Sequence, residues 1–156
     1  MEAKFSFESL RLLESHFKLN TDFRPRGKQP IEISTEINIS HKQQDKAVKV
    51  SISVSSDNKK QPFVLDTTVM GTFNFLKIPP KKDLNKIVYV NCAAIMFPYV
   101  REIIADLTRR ADIPPFHMDP INFVALYEDR QAYFRNKRKA QPKLVGLKKG
   151  TKEKGH

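Results

Sequence analysis

The side chains able to do chemistry are few and far apart. His16, His41, His117 and His156 are scattered, with no HxxxH or HExxH pair and no Cys or Asp at ligand spacing, so neither a metal centre nor a histidine base is indicated. Cys92 stands alone, which excludes an internal disulfide and a thiolate pair for zinc, and at the start of an apolar helical run it reads as a packing residue. Acidic pairs such as Glu8 and Glu14, or Glu32 and Glu36, suit solvated strand faces better than acid–base work. The phosphate-loop, dinucleotide and nucleophile-elbow glycine motifs are absent, and five glycines leave little scope for cradling a phosphate. The expectation is a protein that is not an enzyme and holds no cofactor or metal.

Apolar surface is the more informative feature. Eleven phenylalanines and four tyrosines occur without a tryptophan. The sheet and helices that these residues predict carry more apolar faces than a small two-layer core requires. Surplus of that kind is covered by a partner subunit or used for binding, the alternative being that all of it is core.

The elements that must position these faces can be read in order. Apolar residues at Phe5, Phe7, Leu13, Phe17 and Leu19, interrupted by Leu10, Leu12 and Leu13, predict a first strand from about Ser9 to Leu19, and Asn20–Pro30 follows as a loop. Ile31, Ile33, Ile37 and Ile39 alternate with polar residues, as do Val48, Val50, Ile52 and Val54, predicting a hairpin joined by the polar run His41–Lys46. A fourth strand starts at Phe63 and puts Leu65, Thr67, Val69, Gly71, Phe73 and Phe75 on one face, with Gly71 suited to a bulge or bend. Ile78–Lys82 then links the strands to a helical part.

Between Asn91 and Phe134 the period changes to three and four. Ile95, Phe97, Val100, Ile103, Ile104 and Leu107 predict one amphipathic helix, kinked at Pro98 and closed by Pro114 and Pro115. Asp119 and Pro120 read as the N-cap and first residue of a second helix, with Phe123, Leu126, Tyr127, Arg130 and Phe134 on one side. The fold class is therefore α+β: a four-stranded antiparallel sheet packed by a long kinked helix and a second, C-terminal helix.

The 156 residues suit one modest domain, and 40% hydrophobic content argues for a folded chain. No continuous apolar run approaches the roughly 20 residues of a membrane span, and the acidic, broken N-terminal stretch does not resemble a secretory signal, so a cytoplasmic location without membrane insertion is expected. The net charge of +11 is uneven: Arg135–His156 holds nine Lys or Arg against one Glu, leaving +3 for the rest. The domain is expected over 1–134, with a basic, mobile tail at 135–156. That tail supplies a reading of another class, binding of nucleic acid or an anionic surface, although nucleic acid is not the main partner expected.

Met96-Phe-Pro-Tyr-Val-Arg-Glu102 and Asp119-Pro-Ile-Asn-Phe-Val-Ala-Leu-Tyr127 resemble the SecB family of export chaperones, which shows similar FPYARE and PVNFDALF segments at this spacing. Phe63–Phe73 is similar to the family's strand ending in a glycine and an aromatic residue, so the resemblance covers roughly Phe5 to Phe134. It implies a homotetramer, a dimer of dimers, that holds unfolded client polypeptides without ATP and keeps them competent for export. It also implies an apolar client groove in which Phe63 and Tyr127 match aromatic positions, and Phe73, Phe75 and Phe123 are added as neighbours. Glu14, Val64 and Asp66 match the surface that docks the SecA motor, but Lys18 stands where the family usually has an acid, and the tail is basic where the family's is commonly acidic. A variation within the same resemblance is a chaperone dedicated to one client, such as an antitoxin.

Overall fold

The computed structural model describes residues 3–28, 30–57 and 59–140. The chain divides into two compact units, the first ending at Pro120 and the second beginning at Ile121. The first contains β1 (Phe5–Leu19), β2 (Glu36–Gln44), β3 (Ala47–Ser56), β4 (Phe63–Phe75), α1 (Lys81–Ile87), a π-helical turn (Val88–Cys92) and α2 (Ala93–Arg110); the second contains α3 (Phe123–Ala140). The strands form one antiparallel sheet in the order β1-β4-β3-β2.

The irregular leucines of β1 have a physical explanation. The strand is longer than the alternation predicts, starting at Phe5, and it bulges twice against β4, with Glu8 and Leu13 as the extra residues. Each bulge shifts the inward parity by one. Phe5 and Phe7 point to the helix side, then Leu10 and Leu12, then Ser15, Phe17 and Leu19, because these are the partners of the inward row Phe75, Phe73, Gly71, Val69, Thr67, Leu65 and Phe63. The bulge expected at Gly71 is absent from β4; the distortions lie in its partner strand. Gly71 serves a close approach instead, since a Cβ there would lie 2.9 Å from Met96 Sδ on α2.

Two further boundaries differ from the sequence pattern. Ile31 and Ile33 alternate like strand residues but precede β2, whereas His41–Gln44, expected as a loop, continue β2 opposite Val50–Ala47. The hairpin closes through Asp45 and Lys46 alone, and Asp45 takes a positive φ of 57°, which a short polar side chain tolerates.

The long helix starts ten residues before the amphipathic pattern becomes obvious, directly after Pro79 and Pro80, with Leu84 N–H donating to Pro80 C=O at 2.9 Å. Leu84, Val88, Cys92, Met96, Val100, Ile104 and Thr108 are all buried, one every fourth residue. In a regular α-helix that series would drift by about 40° per step around the axis. The π turn, in which Ala93 N–H reaches back to Val88 C=O, holds more residues per turn and so slows the drift, keeping the row on the sheet. The buried face consequently runs through Met96, Phe97 and Val100, and Ile95, expected on it, is exposed. Pro98 lies inside α2 on the exposed side, beside Ala94, whose carbonyl loses its N–H partner.

Lys81–Arg110 is long and apolar enough, by length and composition, to cross a membrane. In the first unit its apolar face is engaged by Val48, Val50, Ile52, Val54, Val69 and Phe73 of the sheet, all buried completely. Each such side chain contributes about 1.5–3 kcal/mol on burial. The helix therefore acts as the covering layer of a two-layer core.

The second unit differs from expectation at both ends of its helix. Asn122, not Asp119, is the N-cap of α3, its side-chain oxygen accepting from Ala125 N–H at 3.1 Å. The helix also runs on to Ala140, so Arg135–Ala140 extend α3, and the rest of the expected basic tail lies outside the described residues.

Candidate binding surface

Among the described residues no three His, Cys, Asp or Glu side chains converge. Cys92 is buried, and loss of hydration pushes its thiol up to about 12, leaving it without thiolate character. His41 faces inward on β2, edge-on to the Tyr89 ring at 6.2 Å, and burial lowers its pKa. What this unit offers is apolar surface.

The inward side of β1 is only partly covered, because the long helix packs over β3 and β4. Along that margin runs a chain of aromatic contacts. Phe5 meets Phe75 at 5.1 Å and Phe73 at 5.8 Å, Phe7 meets Phe73 at 5.1 Å and Tyr99 of α2 at 6.0 Å, and Phe17 stacks on Phe63 at 5.5 Å. Between the two clusters, Leu12 and Tyr99 are 50% and 47% exposed. Phe63, Phe73 and Phe75 are themselves buried and form the floor of this strip; its accessible members are Phe5, Phe7, Leu12, Phe17, Leu19 and Tyr99. Of the six, Tyr99 lies in the motif Met96–Glu102, and the other five are β1 residues outside the motifs. The signal for them was the paired apolar alternation at Phe5/Phe7 and Phe17/Leu19 on a strand that turns out to be an edge.

Two polar hubs hold the walls. Thr108, fully buried near the end of α2, donates to the helix carbonyl of Ala105 at 2.9 Å and accepts Phe116 N–H at 2.8 Å, which sets the Phe116 ring 5.9 Å from Phe63. Gln61, also buried, accepts from Ser56 Oγ at 2.8 Å and donates to Ser34 Oγ at 3.0 Å, while Asn20 Nδ2 donates to Lys59 and Gln61 carbonyls. These bonds pin the segment between β1 and β2 against the β3–β4 turn. They frame an open concavity of about 1510 Å³ lined by Phe17, Leu19, Phe23, Ile31 and Leu65, with Lys18, Arg24, Arg26, Lys59 and Lys60 among its polar residues. Such a shape suits an extended chain segment better than a compact small molecule.

Glu14, Val64 and Asp66 share the opposite, outward side of the sheet. Their cross-strand neighbours are Thr68 for Glu14, Lys18 for Val64, and His16 for Asp66. His16 Nε2 hydrogen-bonds Glu14 Oε1 at 2.7 Å. Two carboxylates are thus interleaved with an imidazole and an ammonium group. Phe123 and Tyr127 belong to the second unit, one turn apart on the same side of α3.

Residues 4–133 match the family model described as "SecB: Preprotein translocase subunit SecB". The chain is 34% identical over 122 residues to the protein-export protein SecB of Bartonella quintana (strain Toulouse), a match covering 76% of this chain and 77% of that protein. It is 32% identical over 114 residues to the protein of the same name from Paracoccus denitrificans (strain Pd 1222), covering 69% and 64%. Among solved structures, the Mycobacterium tuberculosis Rv1957 SecB-like chaperone, in complex with a ChAD peptide from the Rv1956 HigA1 antitoxin, superposes with a TM-score of 0.65 at 20% identity, covering 75% of this chain and 90% of that one.

Proposed function

Because the chain belongs to the SecB family, we propose that it is an ATP-independent holdase that binds unfolded polypeptides along the aromatic strip of β1 and keeps them competent for export. The observation that carries this reading is the uncovered row Phe5, Phe7, Leu12, Phe17, Leu19 and Tyr99, backed by the buried Phe63, Phe73 and Phe75. Phe123 and Tyr127 are the client-contacting side chains of the second unit in this reading. A client laying several apolar side chains into weak pockets, each worth about 1.5–3 kcal/mol, binds tightly through their sum without sequence specificity. No proton transfer, metal or cofactor is required.

The working form is a homotetramer, a dimer of dimers, in the cytoplasm. Leu13 of β1, half exposed, and Ile95 of α2 are apolar side chains outside that row that subunit contact would cover, which supports assembly. The chaperone domain is 1–134, and the basic residues beyond it are accessory. SecA docking, if it uses Glu14, Val64 and Asp66, meets a surface whose acids are offset by His16 and Lys18, so steering of a basic partner is weak.

The test is to dilute a guanidine-unfolded client such as rhodanese into buffer with one equivalent of tetramer and follow light scattering. Suppressed aggregation without nucleotide is expected; unchanged aggregation refutes the reading. A second reading, dedication to one client, is favoured by the antitoxin peptide bound to the M. tuberculosis relative. Affinity capture dominated by a single partner would establish it over general holding.

A further inference from the structure

Past Tyr127 the second unit carries a surface of a different chemistry. From Arg130 to Lys139 the helix α3 has five cations, Arg130, Arg135, Lys137, Arg138 and Lys139, and no acid. Tyr133 and Phe134 stand among them, 62% and 43% exposed. Cations in a last turn offset the helix dipole, which accounts for Lys137–Lys139 but not for Arg130 or for two exposed rings.

The arrangement of rings and charges identifies the partner. At about 100° per residue, Arg130, Tyr133, Phe134, Lys137 and Arg138 fall within about 140° of one helix face. The contacts agree: the Arg130 guanidinium lies 5.6 Å from the Phe134 ring centre, Lys137 Nζ lies 6.0 Å from that of Tyr133, and the two rings meet edge to face at 5.6 Å. A helix built for a lipid surface separates its apolar stripe from its cations. An acidic protein would engage the charges and leave the rings without a role. Rings interleaved with cations on one face match a chain whose flat bases alternate with phosphates.

We propose that the Arg130–Arg138 face of α3 binds single-stranded nucleic acid, with Tyr133 and Phe134 stacking unpaired bases and the flanking Arg and Lys side chains meeting phosphates. Recognition is independent of base identity, since every base has a face to stack. The basic residues that follow in the sequence add charge to the same end of the chain, so the test leaves them intact.

Binding of fluorescein-labelled oligo(dT) to the full chain, followed by anisotropy, separates stacking from charge. Tyr133→Leu with Phe134→Leu keeps every charge, the apolar bulk and a helix-compatible side chain, and is expected to weaken binding about tenfold or more. Lys137→Gln with Arg138→Gln is expected to reduce the slope of log affinity against log salt by about 1.4. Far-ultraviolet circular dichroism checks that α3 persists in each variant. An affinity within about twofold of the parent for the leucine variant, or equal competition by a duplex of the same length, overturns the proposal in favour of bare electrostatics. Capture by phosphatidylglycerol vesicles that depends on Tyr133 and Phe134, without oligo(dT) binding, overturns it in favour of a membrane surface.

Discussion

Replacing Gly71 with alanine tests how closely the long helix is seated on the sheet. The new Cβ would lie 2.9 Å from Met96 Sδ, 3.2 Å from Met96 Cγ and 3.1 Å from Phe73 Cε2, where ordinary contact begins near 3.4 Å. The backbone cannot yield, because Gly71 is paired on both sides, with Leu10 and Val50. Met96 must therefore withdraw by about half an ångström inside a site where it is fully buried. Overpacking of this kind costs about 1–3 kcal/mol, near the middle of that range because the flexible thioether can yield but the Phe73 ring is crowded as well, and the stiffer unfolded chain returns about 0.4–1 kcal/mol. The expected net loss is about 1 kcal/mol, read as a lower urea midpoint at unchanged slope and fixed protein concentration. Met96→Ala alone should cost about 2–5 kcal/mol. In that background only the 3.1 Å approach to Phe73 Cε2 remains, so Gly71→Ala should cost clearly less than in the parent. If Gly71→Ala shifts both backgrounds by the same amount within about 0.5 kcal/mol, the glycine is not there to admit Met96.

Thr108→Val leaves the Phe116 amide without its acceptor and should lower stability by about 1–3 kcal/mol, together with faster proteolysis between Ala111 and Met118. Leu19→Asp places a charge on a partly exposed member of the apolar strip; client protection should fall severalfold in the light-scattering assay while the urea midpoint moves by less than about 1 kcal/mol. His41 has a folded pKa below its ordinary 6.5 because burial disfavours the cation. Above pH 6.5 both states are neutral and stability is unaffected; as pH falls below 6.5 the unfolded chain takes up the proton first, so stability is lost down to the folded pKa. His41→Phe, which keeps an aromatic edge against Tyr89, should flatten that decline in urea melts collected between pH 7 and 5.

The pattern of side chains alone determined the α+β class and the inward row of β4 from Phe63 to Phe75, because a two-residue period and a helical period are local consequences of backbone geometry. The motifs at Met96–Glu102 and Asp119–Tyr127 were enough to point to the family. What only the tertiary structure decided is where a pattern finds a partner. Ile31 and Ile33 alternate as well as any strand, yet β3 has no residues left to pair with them, and a hydrogen bond from Gln61 to Ser34 claims the segment instead. The broken alternation of β1 becomes intelligible once the bulges at Glu8 and Leu13 are seen against β4. The π turn that keeps Leu84 through Thr108 on the sheet, and the burial that exchanges Ile95 for Met96, depend on the surface beneath the helix. Exposure itself is a tertiary quantity: Phe63 and Phe17 are equally apolar in the sequence, but only packing makes one the floor of the strip and leaves the other at its surface.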